Sequence, residues 1–302
     1  MPRVSVIIPA YNAEATIAET LRSVEAQTFR DWEVVVVDDC STDRTVEVAQ
    51  AFGDRFKVIR AIENGGPAAA RNLAIASSTS ELLAFLDSDD YWLPEYLDRQ
   101  VSAFDDAAGP VGIVACDARV LGVDGFLADS YLEIAGSPDV VTTAVLLKKN
   151  PIFVSALATR RVVDEAGGFD AEIFGVEDRD LWLKIVERGH RVVVQRLPLA
   201  VYRLAPQSVS ANPASMARAT QLFYRRALER GNLDAHERRI AQRELRLQRV
   251  IEQVASEDGI SMGRLARALP LLARVAAEHP NRWPSYAQMV ARRKLRFSSF
   301  PG

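Results

Sequence analysis

Residues 82–90 read Leu82-Leu83-Ala84-Phe85-Leu86-Asp87-Ser88-Asp89-Asp90. The first five positions are apolar, which predicts a central strand that is buried on both faces of a sheet. Three carboxylates follow within four positions, so like charges are crowded at the end of this strand. A bound cation or raised pKa values would relieve the repulsion, and carboxylate oxygens favour Mg²⁺ or Mn²⁺. The stretch therefore predicts a divalent-cation site, although an acidic turn that caps a helix beginning near Pro94 also fits.

The sequence before this stretch alternates short β-branched runs with helical periodicity. Strands are predicted at 4–8, 33–37 and 57–60, and helices at 15–27, 43–52 and 68–77. This βαβ order predicts a parallel sheet with helices on its faces. Asp38 and Asp39 follow the second strand, and ligands of open α/β sheets bind beyond the carboxyl ends of the strands. Both acidic strand ends are therefore expected to face one crevice.

The three residues after Asp39 and Cys40 have a plainer role. Ser41, Thr42 and Asp43 are of the types that cap helices, and a predicted helix follows them directly. We therefore expect these three side chains to cap that helix.

Charge divides the chain of 302 residues into two regions. Residues 1–213 carry 20 basic and 32 acidic side chains, a net charge of −12, whereas residues 214–302 carry 17 and 8, a net charge of +9. The acidic region can hold a divalent cation, and the basic region can contact an acidic surface. Long helices are predicted at 214–231 and 234–256. The sequence thus predicts an α/β domain at 1–213 and a basic helical extension at 214–302.

The last part of the extension, residues 283–300, mixes Arg and Lys with Trp, Tyr and Phe. This mixture predicts peripheral contact with an anionic membrane surface, and a helix packed on its own domain is the alternative. The chain shows no signal-peptide pattern and no run of 18 apolar residues, so a cytoplasmic protein, peripheral at most to the inner face of a membrane, is expected. Cys40 and Cys116 lack metal or disulfide spacing and are expected to be reduced thiols.

Several function classes lose support. Neither a Gly-x-Gly-x-x-Gly nor a P-loop motif is present, and nucleic acid is not an expected partner. His190, His236 and His279 lack metal-ligand neighbours and are expected to be structural or surface residues. A nucleotidyltransferase remains an alternative, although its Gly-rich, Lys-bearing activation loop is missing. A receiver-like signalling module would also place acids at strand ends, but it would be much shorter.

Six blocks, in order, resemble glycosyltransferase family 2, the inverting enzymes of the GT-A fold. The blocks are residues 4–12, 27–33, 38–43, 64–72, 87–90, and 167–170 together with 177–182. The resemblance covers roughly residues 1–213, and the ordered set is far more specific than any one block. It implies an α/β GT-A domain, a Rossmann-like mixed sheet flanked by helices, followed by the helical extension.

The resemblance also implies an activity. A hexose-type sugar would move from a nucleoside-diphosphate sugar, with a UDP-sugar as the first expectation, to a hydroxyl of a glycan or lipid-linked acceptor. A degenerate relative that binds the nucleotide sugar without turnover is the alternative. The acceptor side is expected around residues 151–154.

The same resemblance implies roles for individual residues. The nucleotide-sugar site is expected at Pro9, Tyr11, Asn12, Asp39, Arg71, Asp87 and Arg203. The first three resemble the loop beside the base and ribose, Asp39 the acid that contacts the base, and Arg71 the cation that closes over the nucleotide. Asp89 resembles the metal ligand for Mg²⁺ or Mn²⁺, and Asp87 the ribose or sugar contact. Packing for Tyr11 and a surface position for Arg71 are the plainer alternatives.

Asp178 resembles the general base of the family. Inversion by direct displacement needs a carboxylate that takes the proton of the acceptor hydroxyl. The alternative is that Glu177 and Asp178 merely begin a helix at 180–188, where acids favour the N-terminal dipole. Trp182 resembles an aromatic residue beside the base, or it packs in the core. The family often has His where Ala205 stands, which leaves Arg203 as the candidate phosphate contact of this segment.

Overall fold

The computed structural model describes residues 1–204 and 213–256. Its N-terminal half is a parallel sheet of four strands, β1 (Val4–Ala10), β2 (Trp32–Asp38), β3 (Phe56–Arg60) and β4 (Leu82–Phe85), in the order β3-β2-β1-β4. The predicted strands are confirmed to within one or two residues at each end. The apolar runs of β1, β2 and β4 are buried, so hydrophobic burial fixes these strands inside the sheet. β3 lies at the edge of the sheet and is partly exposed.

The second half extends the sheet with mixed directions. Its strands are β5 (Tyr91–Trp92), β6 (Val111–Gly122), β7 (Gly125–Ala128), β8 (Ala156–Thr159) and β9 (Arg191–Arg203). β8 runs antiparallel to both β4 and β6, β9 runs parallel to β6, and β5 pairs antiparallel with the end of β9. The resulting order is β3-β2-β1-β4-β8-β6-β9-β5, with β7 paired to β6. The predicted mixed sheet is confirmed.

Helices cover this sheet. They are α1 (Ile17–Glu25), α2 (Thr45–Gln50), α3 (Gly66–Ala76), α4 (Tyr96–Asp105), α5 (Tyr131–Ala135), α6 (Thr143–Leu146), α7 (Arg160–Glu165) and α8 (Glu177–Glu187). α8 begins three residues earlier than the predicted start at 180. Its first turn therefore holds Glu177, Asp178 and Asp180 together, where the helix dipole favours acids.

Two long helices follow, α9 (Pro213–Arg230) and α10 (Ala235–Ser256), close to the predicted bounds. α9 buries Phe223 and Tyr224 in the same hydrophobic cluster as the sheet. Its Arg230 pairs with Asp180 at 3.0 Å and with Glu187 at 3.0 Å, both on α8. The first helix of the extension therefore packs directly against the α/β domain.

The described helices include none that is both long and apolar enough to cross a membrane. Cys40 and Cys116 are free thiols in separate places, as expected. The segments 205–212 and 257–302 lie outside the described residues, and with them Ala205, His279 and the predicted membrane-contact segment at 283–300.

Candidate active site

The carboxyl ends of β1, β2 and β4 lie at one edge of the sheet, because β1 pairs in parallel with both neighbours. Asp38 ends β2, and the backbone N–H of Asp39 donates to the carbonyl of Ala10 at the end of β1. The stretch that begins at Asp87 leaves β4 at this same edge. Both acidic strand ends therefore lie at the same edge of the sheet, and their sharing of one crevice stays a prediction.

Asp87, Asp89 and Asp90 form an acid triad whose ligand oxygens lie within 4.8 Å of one another. Asp90 is only 1% exposed; one oxygen accepts from the Arg203 backbone N–H at 2.7 Å, whereas Oδ2 is buried without a hydrogen-bond partner among the described residues. Burial and the charges of Asp89 and Asp87 raise the pKa of Asp90 well above its ordinary value. Burial and Asp87 likewise raise the pKa of Asp89 to about 6.

These features fit a divalent cation. An orphaned buried carboxylate oxygen beside two more carboxylates supplies hard ligands and a charge excess that a cation would neutralise. Asp90 was not among the site residues predicted, although it stands in the decisive stretch. Its burial, which depends on the packing of β9 and β5, is not visible in the sequence.

Arg71 is a buried bridge between two acidic clusters. It is 3% exposed, and its terminal nitrogens pair with Asp87 at 2.6 Å and with Glu177 at 2.8 Å. Its pKa is raised because the two carboxylates outweigh the cost of burial. The alternative of a surface helix position is wrong. In this arrangement the guanidinium lies between protein carboxylates, so its predicted closure over a nucleotide stays a prediction.

Asp178 lies in the first turn of α8, beside Glu177. Its Oδ1 accepts from the Arg179 backbone N–H at 2.6 Å, and its Oδ2 accepts from Asn150 Nδ2 at 2.8 Å. Burial, followed by the charge of Glu177, raises the pKa of Asp178 to about 7, against the hydrogen bonds and the Arg71 charge. A pKa near neutrality suits a general base.

The two neighbouring acids are occupied differently. Glu177 accepts from Arg71 at 2.8 Å through one oxygen and from the Gly175 backbone N–H at 2.6 Å through the other. Asp180 pairs with Lys184 at 3.1 Å and with Arg230. Both acids therefore hold the local structure, and this favours Asp178 within the cluster as the base.

The predicted nucleotide loop lies at the end of β1. Pro9 is buried in the strand, and Tyr11 is 53% exposed, so packing does not account for Tyr11. Asn12 has a left-handed backbone (φ 48°), and its Oδ1 accepts from the Thr42 backbone N–H at 2.9 Å. Asn12 thus ties this loop to the loop after β2.

The predicted caps of α2 need correction. Ser41 Oγ accepts from the Asn12 backbone N–H at 2.9 Å, so Ser41 and Thr42 join two loops instead of capping the helix. Only Asp43 contacts the helix start, where its Oδ1 accepts from the Thr45 backbone N–H at 3.0 Å. Their proximity to Asn12 is tertiary, and no local pattern in the sequence indicates it.

Asp39 is buried, and its two oxygens accept from the backbone N–H groups of Gly65 and Gly66, each at 2.8 Å. Gly66 has a φ of 80°, which disfavours other residues. A Cβ at Gly65 would lie 2.8 Å from the Ala69 Cβ. Asp39 therefore fixes the start of α3, and the predicted contact with the base stays a prediction.

Arg203, at the end of β9, holds the loop that carries the acid triad. Its Nε donates to the Asp89 carbonyl at 2.8 Å, and a terminal nitrogen pairs with Glu19 at 2.7 Å. Its position beside the triad is compatible with the predicted phosphate contact, which stays a prediction.

The structure also places the predicted acceptor segment, Trp182 and two of the histidines. Residues 151–154, expected on the acceptor side, are buried. Trp182 is fully buried and packs its ring 5.8 Å from that of Phe85, so packing accounts for it. His190 lies 3.5 Å from Glu165 and His236 is exposed, as expected for structural or surface residues.

Comparisons with known proteins identify relatives of this chain. The chain superposes on a crystal structure of TarS from Staphylococcus aureus in complex with UDP-GlcNAc, with a TM-score of 0.65 and 25% identity over 82% of this chain and 72% of that one. The chain is 32% identical to TuaG of Bacillus subtilis, named for teichuronic acid biosynthesis, over 74% of this chain and 88% of TuaG. It is 30% identical to WfgD of Escherichia coli, a UDP-Glc:α-D-GlcNAc-diphosphoundecaprenol β-1,3-glucosyltransferase, over 69% and 80%.

The fold and the site thus define a glycosyltransferase of the GT-A fold. A family profile described as glycosyl transferase family 2 matches residues 5–161. The chain belongs to glycosyltransferase family 2. This assignment excludes the nucleotidyltransferase and receiver alternatives.

Proposed function

We propose that this enzyme transfers a hexose-type sugar, with inversion, from a nucleoside-diphosphate sugar to a hydroxyl of a glycan or lipid-linked acceptor. The observation that carries the proposal is the pairing of the acid triad with a separate carboxylate, Asp178, across the buried Arg71. The acid triad supplies ligands for a cation, and the other cluster carries a carboxylate with a pKa near 7.

In the reaction, Asp178 takes the proton of the acceptor hydroxyl. That oxygen forms a bond to the anomeric carbon from the face opposite the nucleotide. The bond from the anomeric carbon to the diphosphate oxygen breaks, and its electron pair leaves with the nucleoside diphosphate. Asp87, Asp89 and Asp90 would hold Mg²⁺ or Mn²⁺, whose charge neutralises the departing diphosphate. Arg203 would assist as a second cation at the phosphates.

The relatives support a particular donor and acceptor class. TarS was crystallised with UDP-GlcNAc, and the name of WfgD states a UDP-Glc donor and a diphosphoundecaprenol acceptor. We therefore propose a UDP-sugar as donor, bound between the loop of Tyr11 and Asn12 and the acid triad.

We also propose peripheral contact with an anionic membrane. Arg239, Arg246 and Arg249 are exposed on α10, and the region 214–302 carries a net charge of +9, so the charge is complementary to anionic headgroups. In a sedimentation assay the protein should bind phosphatidylglycerol vesicles and not phosphatidylcholine vesicles. Changing the three arginines to Glu should weaken this binding, and equal binding to both vesicle types would contradict the proposal.

The test of the donor site is isothermal titration with UDP, dTDP and GDP, each with and without Mn²⁺. We expect UDP binding that depends on Mn²⁺ and is lost in Asp89→Ala. Asp106→Ala is the matched control, since Asp106 is exposed on the far end of α4. If the unaltered protein and the Asp106→Ala control are folded and bind none of the three nucleotides, the proposed activity is wrong.

A further inference from the structure

Within residues 1–204 and 213–256, the carboxylate of Asp178 has one hydrogen-bond partner from outside its own helix. Asn150 Nδ2 donates to Asp178 Oδ2 at 2.8 Å, while Oδ1 accepts the backbone N–H of Arg179 at 2.6 Å. Among the described residues, Asn150 is the side chain that donates directly to this carboxylate. Each oxygen keeps an unused lone pair, so an acceptor hydroxyl can still approach.

Asn150 is itself held on two sides. Its Oδ1 accepts from the Ile152 backbone N–H at 3.3 Å, which fixes the orientation of the amide. Its backbone carbonyl accepts from the Tyr131 hydroxyl at 3.3 Å. The amide that faces Asp178 is therefore anchored by the chain after it and by α5.

The anchor continues into the sheet. Asp117, in β6, accepts from the Leu132 backbone N–H at 2.9 Å and from the Ser130 hydroxyl at 2.6 Å, and so fixes the first turn of α5. Hydrogen bonds and covalent bonds thus link a buried strand to α5, to Asn150 and to Asp178. A catalytic side chain needs such a network of supporting hydrogen bonds to be held in one orientation.

The charges around Asp178 do not replace this contact. Glu177 is a like charge on the same helix, and Tyr131 faces Asp178 from α5. Arg71, on α3, is taken up by Asp87 and Glu177. The side chain of Arg179 donates instead to the Leu146 carbonyl at 2.7 Å and to the Tyr224 hydroxyl at 3.2 Å. Among the described side chains around Asp178, the neutral amide of Asn150 is therefore the one that stabilises its carboxylate directly.

We propose that Asn150 is a positioning residue for sugar transfer: its amide orients the Asp178 carboxylate toward the acceptor and stabilises the anionic form that takes the proton. The proposal rests on the proposed function, in which Asp178 is the base. It assigns a role to a residue that lies outside every motif of the family resemblance.

The direct test follows the ¹³C carboxyl resonance of Asp178 through a pH titration, with the signal assigned by its loss in Asp178→Asn. Asn150→Ala removes the donor and should raise the pKa of Asp178 by about 1 unit. Asn150→Asp keeps the shape of the side chain and adds a like charge, so it should raise the pKa further. Asn232→Ala, in the turn before α10, is the control and should leave the titration unchanged.

Kinetics supply the second readout. With a pKa raised by about 1 unit, Asn150→Ala should lose about fivefold in kcat at pH 7, recover most of it at pH 9, and keep its KM for the donor. An unchanged Asp178 titration in both folded Asn150 variants would overturn the proposal. Full transfer activity in Asp178→Asn would instead overturn the proposed function, so the two failures are distinguishable.

Discussion

The two acidic clusters that meet at Arg71 are built in opposite ways. The triad Asp87, Asp89 and Asp90 gathers three carboxylates, and one of its buried oxygens has no partner among the described residues. The acids of α8 are instead neutralised from within, because Arg71, Lys184 and Arg230 pair with Glu177 and Asp180. Only Asp178 in the second cluster lacks an ion pair among the described residues.

This difference indicates a division of labour. Under the proposed function, the acid triad with its excess negative charge would bind a cation and, through that cation, a diphosphate. A cluster whose structural acids are paired can present one carboxylate with a pKa near 7, where a base exchanges protons most effectively. Arg71 sets the spacing between the two clusters.

The largest expected effect is on the rate of sugar transfer, and it comes from changing the proposed base. Asp178→Asn removes the base and keeps the shape, so the rate of sugar transfer should fall by about 10²–10⁴-fold. The measurement is UDP release from UDP-glucose or UDP-GlcNAc in the presence of a membrane-lipid extract. Asp98→Asn, the same change at an exposed position of α4, is the matched control and should leave the rate unchanged. A loss of less than tenfold in the transfer rate would contradict the assignment of Asp178 as the base.

The next effect tests the bridge between the clusters. Arg71→Met leaves Asp87 and the buried Glu177 without their shared cation, and should lower the free energy of unfolding by about 3–5 kcal/mol. Urea denaturation measures the loss. Arg22→Met, an exposed position on α1, should change it little. A loss equal to that of the control would mean that Arg71 does not join the clusters.

A smaller effect tests the support that α9 gives to α8. The Tyr224 hydroxyl donates to the Leu147 carbonyl at 2.8 Å and accepts from Arg179, next to the base. Tyr224→Phe should cost about 1–2 kcal/mol in the free energy of unfolding, because buried groups lose a partner. Tyr11→Phe, at an exposed position, is the matched control. Equal stability of the two variants would show that the hydroxyl contributes nothing to the docking of α9.

The smallest effect concerns stability and pH. The pKa of Asp178 lies above the ordinary value, so the folded state binds the extra proton between about pH 4 and 7 and stability falls as pH rises through that window. Asp178→Asn removes the buried charge and should raise Tm at pH 8 by about 2–4 °C, with little change at pH 4. Calorimetry at both pH values checks this, and an equal shift at both would contradict the raised pKa.

The sequence predicted the parallel half of the fold well, because runs such as residues 34–37 and 82–86 are continuous apolar segments with turn residues at their ends. It did not predict β5, β6, β8 or β9. β9 shifts register against β6 and includes exposed positions, so its pattern is neither continuous nor alternating. Such strands are specified by their partners rather than by their own residues.

The candidate site likewise has residues that the sequence predicted and contacts that it did not. The acids after β4 stood out in the sequence because three carboxylates follow a buried apolar strand, and Asp178 at the start of α8 was predicted through the family resemblance. The bridge between Arg71 and Glu177 joins residues 106 positions apart, and Asn150 reaches Asp178 across 28 positions. Neither contact leaves a periodic or local signal, so only the folded chain reveals them.

Calorimetric binding of UDP with Mn²⁺ to Asp89→Ala and Asp178→Asn, side by side with the unaltered protein, tests the division of labour most directly. We expect that Asp178→Asn binds UDP as the unaltered protein does and that Asp89→Ala loses the Mn²⁺-dependent part of the binding. Equal loss in both variants, or binding that Asp89→Ala leaves intact, would contradict it.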